Sequence, residues 1–177
     1  MVTQAPVRDP RQLVVWSALE EIADPEIPAI SLVELGVIGS VAFQPRHEGG
    51  ELLSVELLPT FVGCPAIDVM QLQIGERLRA LQLADEVEVR LSFTPPWTSE
   101  RITPEGREKL RVSGFAPPAI IGPSFDGEEL QVLLGAATCP YCGSRNTTLD
   151  NPFGPTLCRA IYHCDVCHQP FEQFKTV

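Results

Sequence analysis

The sequence predicts an α+β fold, a small mixed sheet with packed helices, followed by a small zinc-ribbon domain. Two observations carry this. Apolar residues recur at spacings that give helix, strand, strand, helix, strand, helix over roughly 110 residues, the pattern of helices packed on one small sheet. Two CxxC pairs then stand near the end of the chain, with 21 residues between Cys142 and Cys164. Domain boundaries follow as 9–113 for the α+β domain, 114–130 for a linker and 131–177 for the ribbon.

Length and charge bound the rest. The chain has 177 residues, 44% of them hydrophobic, enough for one domain and an appendage. A net charge of −10 argues against a general phosphate-binding surface and against anionic membranes. No apolar run reaches the roughly 18 residues of a membrane span. The N-terminal MVTQAPVRDPRQ lacks an apolar signal core, so a cytoplasmic protein is expected. In a reducing compartment, six cysteines point to metal ligands or reactive thiols ahead of disulfides.

Residues 1–8 read as a loose tail. Asp9-Pro10 supplies an N-cap and a first-turn proline, and Gln12 completes a capping-box pattern. Gln12–Ile22 reads as a helix, with Val15, Leu19 and Ile22 on one face, and Asp24-Pro25 stops it. Asp24-Pro25-Glu26-Ile27-Pro28 is a stiff loop presenting two carboxylates; a solvated turn is the favoured reading, and binding of a hard cation or polarisation of a nearby thiol is the alternative, which no spacing rule demands. Val37–Phe43 and Leu52–Leu58 alternate as a hairpin, with Ser54 and Glu56 facing out.

Pro59–Met70 reads as a strand end, a Gly63 turn and a helix start, with Pro65 in the first turn and Cys64 at the N-cap. Two readings of Cys64 stand on chemistry alone. A thiol at a helix N-terminus has a lowered pKa, and a small residue at a tight turn is simply buried. Ile67, Met70, Ile74, Leu78 and Leu81 then form one helical stripe. Glu86–Ser92 alternates as a half-buried strand, Pro95-Pro96-Trp97 is a stiff loop, and Thr103-Pro104-Glu105 opens a helix to about Val112. Gly114–Glu129 breaks the periodicity with three prolines and several glycines, as a semi-rigid linker does.

Cys139, Cys142, Cys164 and Cys167 supply four soft thiolates from two tight turns, the usual arrangement for tetrahedral zinc. A segment of about 40 residues has too little core to fold alone, and a metal explains its stability. Cys158 is open to three roles: a fifth thiol, a packing residue, or a ligand of an iron–sulfur cluster held in place of zinc. His163 and His168 flank the second pair; either could compete as a ligand, but four cysteines suffice, which favours a place on the surface or just outside the ligand set. The ribbon sets Arg145, Arg159 and Lys175 against Asp150, Asp165 and Glu172, so it lacks the basic face a nucleic-acid ribbon needs.

Taken together, Asp24-Pro25-Glu26-Ile27-Pro28, Leu35-Gly36-Val37-Ile38, Gly63-Cys64-Pro65 and Pro95-Pro96-Trp97 resemble the iron–sulfur cluster assembly domain of the MIP-type and SufT proteins. Cys139–Lys175, with Phe153-Gly154-Pro155-Thr156-Leu157-Cys158-Arg159-Ala160, resembles the ribbon of the PaaD (PaaJ) family, accessory proteins of the phenylacetyl-CoA ring-1,2-epoxidase system. The resemblance implies an accessory or maturation factor in aerobic phenylacetate catabolism. Cys64 would be the contact for a transient iron or iron–sulfur cluster, with Asp24 a second polar group beside it. The oxygenase and reductase subunits of the epoxidase would be its partners. The sequence ends without a cysteine after Phe174-Lys175, which argues against a five- or six-thiol site.

Three functions compete. A non-enzymatic maturation factor would use Cys64 for transfer and the ribbon zinc for docking, and a lone thiolate then calls for a homodimer or another shared site. A structural subunit of the oxygenase would merely pack Cys64. A cysteine-dependent enzyme would need a base near Cys64, and His47, His163 and His168 lack a motif for it.

Overall fold

A computed structural model describes residues 9–119 and 137–175. The chain divides into two compact units. The first runs to Trp97 and takes in Arg101–Thr103; the second comprises Thr98–Glu100 and the chain from Pro104 on. The expected loose tail 1–8 lies outside the described residues. No helix among the described residues is long and apolar enough to cross a membrane.

In the first unit, α1 (Arg11–Glu20) opens on Asp9, whose carboxylate accepts the Arg11 backbone N–H at 2.9 Å. The expected capping box does not form. The Gln12 side chain instead donates to the Val41 carbonyl at 2.9 Å, tying the helix to the sheet. Val15, Leu19 and Ile22 are buried, as their spacing predicts. Leu53, Val55 and Leu57 from the sheet and Met70, Ile74 and Leu78 from α2 (Ile67–Arg79) are buried as well. Each such side chain contributes about 1.5–3 kcal/mol on burial.

β1 (Ile38–Pro45) and β2 (Glu51–Leu57) form the antiparallel hairpin. β3 (Glu86–Leu91) pairs parallel to β2, with α2 as the crossover that parallel neighbours require. The order β1-β2-β3 puts β2 in the centre. Two expectations fail here for that reason. Ser54, expected to face solvent, is 2% exposed, because Ala42 and Glu88 flank its short side chain from both neighbouring strands. Leu91, expected on the buried face, is 37% exposed because β3 is an edge.

Segments far apart in the chain lock together in this unit. Trp97 is 3% exposed and donates its indole N–H to the Leu35 carbonyl at 3.1 Å. The Arg101 guanidinium donates to the carbonyls of Gly36 at 2.7 Å and Ile38 at 3.0 Å. Gly36 has φ +74°, and a Cβ there would lie 2.4 Å from the Arg101 carbonyl oxygen, so glycine is required twice over. Ser31 and Glu34 close a reciprocal capping box at 2.9 and 3.1 Å that shapes the turn before Leu35.

The second unit holds α3 (Pro104–Val112) and a four-stranded sheet in the order β4-β7-β6-β5. Its strands are β4 (Phe115–Ala116), β5 (Thr147–Asn151), β6 (Arg159–Cys164) and β7 (Pro170–Phe174). β5, β6 and β7 run antiparallel in sequence, and β4 adds parallel to β7. The expected linker 114–130 thus begins with β4, and from residue 120 it lies outside the described residues. A small core of Ala116, Ala137, Ala160, Tyr162 and Phe171 includes Cys139 and Cys164. Tyr162 and Phe171 stack at 5.8 Å. Arg159 is 6% exposed, paired with Glu172 at 2.9 Å and stacked over Phe115.

Candidate metal centre and the Cys64 loop

The four ribbon cysteines come together. Their sulfurs all lie within 4.8 Å of one another, with Cys139 and Cys167 at 3.6 Å and Cys142 and Cys164 at 3.5 Å. Sulfurs bound to zinc at 2.3 Å in a tetrahedron stand ~3.8 Å apart, so the set matches a four-thiolate ion in both size and donor chemistry. It is the one such group of His, Cys, Asp and Glu among the described residues. Cys158 stands outside it, with its sulfur 3.1 Å from the Thr156 hydroxyl.

Both CxxC pairs are the same turn. Gly143 follows the first pair at φ +75° and donates its N–H to the Cys139 carbonyl at 2.9 Å. His168 follows the second at φ +58° and donates to the Cys164 carbonyl at 2.9 Å. His168 is therefore placed by its backbone as the left-handed residue of a knuckle, and its ring stacks on His163 at 6.5 Å.

These turns aim N–H groups at sulfur. The Cys167 N–H, helped by that of Val166 against burial, lowers the Cys164 thiol to about 6. Cys167 is pushed up to about 12: the Gln169 N–H acts downward, but burial and the three neighbouring sulfurs prevail. Cys142 is also raised, although the Ser144 N–H pulls it down, because burial and the sulfurs of Cys164 and Cys139 act the other way. Like charges this close cannot all ionise unaided, and a bound cation removes that obstacle.

Cys64 is a half-buried thiol in the first unit. Gly63, at φ +81°, makes the turn that its sequence predicts. The predicted N-cap is corrected: α2 starts at Ile67 with Ala66 as its cap, so Cys64 precedes the cap by two residues. The reason is a preliminary turn at Pro65 and Ala66, in which the Ile67 N–H donates to the Cys64 carbonyl at 3.3 Å. Only Met70 begins the i to i−4 ladder, on Ala66 at 2.9 Å.

Asp24 is 7% exposed, which corrects the picture of a loop presenting two carboxylates. Its Oδ1 accepts the N–H groups of Glu26 and Ile27, each at 2.8 Å, a turn closed by the side chain. Glu26 alone of the two acids is exposed. Asp24 and Cys64 sit on separate loops of the same unit. Sequence reasoning missed the capping box of Ser31 and Glu34, legible as S-x-x-E, and the Trp97 and Arg101 clamps, which no local pattern announces.

Comparison with known proteins gives two domain matches. Residues 13–91 match the family described as "Iron-sulfur cluster assembly protein", and residues 128–175 match the "PaaD zinc beta ribbon domain". Among curated proteins, the putative D component of the 1,2-phenylacetyl-CoA epoxidase of Escherichia coli (strain K12) is 36% identical over 173 residues, covering 98% of each chain. The "Fe-S protein maturation auxiliary factor YitW" of Bacillus subtilis (strain 168) is 28% identical over 89 residues, 50% of this chain and 82% of its own. A solved domain of unknown function, DUF59, from Bacillus anthracis is 23% identical with a TM-score of 0.46, covering 55% of this chain and 89% of its own. The likeness to the E. coli epoxidase component runs along nearly the whole length, through assembly domain and ribbon alike, and so this chain belongs to the PaaD (PaaJ) family.

Proposed function

We propose that this chain is an accessory maturation factor of the phenylacetyl-CoA ring-1,2-epoxidase system, acting in the cytoplasm without catalytic turnover of its own. The observation that carries the reading is Cys64, a half-buried thiol held on a glycine turn and the one cysteine inside the span that matches iron–sulfur cluster assembly proteins. In this role Cys64 contacts iron or an iron–sulfur cluster as cargo, and the buried carboxylate of Asp24 is the second polar group to test beside it. One thiolate cannot enclose a cluster, so a second chain or a small thiol completes the site. Cys139, Cys142, Cys164 and Cys167 hold a permanent zinc that keeps the ribbon folded for docking to the oxygenase or reductase partner.

The test is reconstitution of the epoxidase with the Cys64→Ala variant. Loss of epoxidase activation by a variant that folds normally supports the reading, and full activation by it sinks the reading. A second reading, a fixed subunit of the oxygenase, draws on the E. coli relative, which is named as part of the epoxidase itself. It predicts a constant ratio of this chain to oxygenase through purification, whatever residue stands at 64.

A further inference from the structure

We propose that β3 is a self-complementary edge at which two copies of this chain pair antiparallel about Val89, joining their sheets into one of six strands. The proposal holds whether or not Cys64 handles metal. β3 ends the sheet order, so its far side carries no strand among the described residues. The Ser92 N–H donates to the Leu57 carbonyl, which sets the parity of the parallel ladder. The backbone groups of Glu86, Glu88 and Arg90 therefore face β2, and those of Val87, Val89 and Leu91 face outward. A side chain from α2, Gln71, donates to the outward Val89 carbonyl at 3.0 Å, and that oxygen keeps a second lone pair for another donor.

The side chains select the occupant and its register. With the two-fold axis at Val89, Glu88 lies opposite Arg90 of the second copy, and Arg90 lies opposite its Glu88. These are non-hydrogen-bonded positions, where facing side chains approach most closely. A register one residue away sets Glu88 against Glu88 or Arg90 against Arg90. On the other face, Val87 meets Leu91 of the second copy, and the exposed Leu91 is covered.

Two residues beyond Leu91, the same register carries Phe93, 47% exposed, to a position opposite Asp85 of the second copy. A cleft of about 550 Å³ lies there, lined by Arg79, Gln82, Ala84, Asp85, Glu86 and Val87. It is on the α2 side of the sheet, where the odd-numbered residues of β3 point. An aromatic ring entering it meets the Arg79 guanidinium, a favourable pairing. Strand, charges, apolar stripe and cleft thus agree on a second copy as the occupant.

Sedimentation of the full-length protein tests this with charge swaps. Glu88→Arg and Arg90→Glu alter half-exposed side chains, and circular dichroism checks that each variant folds. The wild type is expected to dimerise, and each single variant to raise the dimer dissociation constant by about tenfold or more. An equal mixture of the two variants restores complementary pairs and is expected to form the heterodimer. Phe93→Ala is expected to weaken the wild-type dimer. A monomeric wild type at about 100 μM, single variants that dimerise as tightly as the wild type, or a mixture that yields no heterodimer would each overturn the proposal. Client activation is read in a separate assay, so failure here is distinguishable from failure of the maturation reading.

Discussion

Gly143 and His168 occupy the same place in two equivalent turns, yet only one of them is glycine. A residue with a Cβ costs roughly 1–2 kcal/mol in the left-handed region, and glycine gives back ~0.5–1 kcal/mol through its looser unfolded chain. His168→Gly is therefore expected to leave the metal site intact and to stabilise the ribbon by up to ~1 kcal/mol, read by thermal unfolding. Gly143→Ala is expected to destabilise it by about 1–2 kcal/mol. The CxxC spacing made the four ligands legible. The role of His168 was not, because a histidine beside a cysteine pair reads as chemistry until its φ of +58° is known.

Proton release tests the thiols at the same scale. Metal binding requires thiolates. At pH 7.5 Cys164, near 6, is already ionised, whereas Cys142, raised above its ordinary 9.0, and Cys167, near 12, carry protons. Zinc binding to the apoprotein at that pH should release at least two protons, measured by calorimetry in buffers of different ionisation enthalpy. Affinity falls as the pH is lowered, since protons then compete for the same sulfurs. Release of fewer than two protons would contradict this view of the site.

Among the elements, α1, α2 and the hairpin were legible from a repeated apolar period and α3 from its Thr103-Pro104-Glu105 opening, but what joins them was not. Trp97 read as an aromatic in a stiff loop, and its partner Leu35 is 62 residues away. Trp97→Phe keeps most of the apolar area and leaves the Leu35 carbonyl without that donor, so a loss of about 1–3 kcal/mol is expected by denaturant unfolding. Gly36→Ala should cost more, since it combines left-handed strain with a backbone clash against Arg101.

The start of α1 depends on pH. Arg11 binds Asp9 and Glu51 together, and its side-chain hydrogen bonds hold both carboxyls below their ordinary 3.8 and 4.5. Lowered folded-state values mean stabilisation that is complete above the ordinary values and is lost as the pH falls through the lowered ones. The Tm difference between wild type and Arg11→Ala should therefore be largest near neutrality and shrink below about pH 4.

For the whole molecule, two units with separate cores favour a division of labour. The ribbon core includes Cys139 and Cys164, so removal of a metal held there is expected to unfold it, whereas the first unit rests on an apolar core of its own. An α+β stretch and a separate stretch with metal-ligand cysteine spacing could be read from periodicity and cysteine spacing. The edge character of β3 could not, because strand order depends on the crossover through α2. Nor could the start of α2, where a preliminary turn moves Cys64 out of the cap.

If Cys64 delivers cargo while the ribbon cysteines keep the carrier folded, the consequence is read in the clients. The decisive quantity is the iron content of the oxygenase and reductase purified from cells producing the wild type, Cys64→Ala or Cys139→Ser. Iron-poor clients are expected with both variants, with Cys64→Ala retaining its zinc and fold and Cys139→Ser losing its zinc. Clients fully loaded with iron in the presence of a stable, zinc-replete Cys64→Ala protein would contradict a delivery role for this thiol.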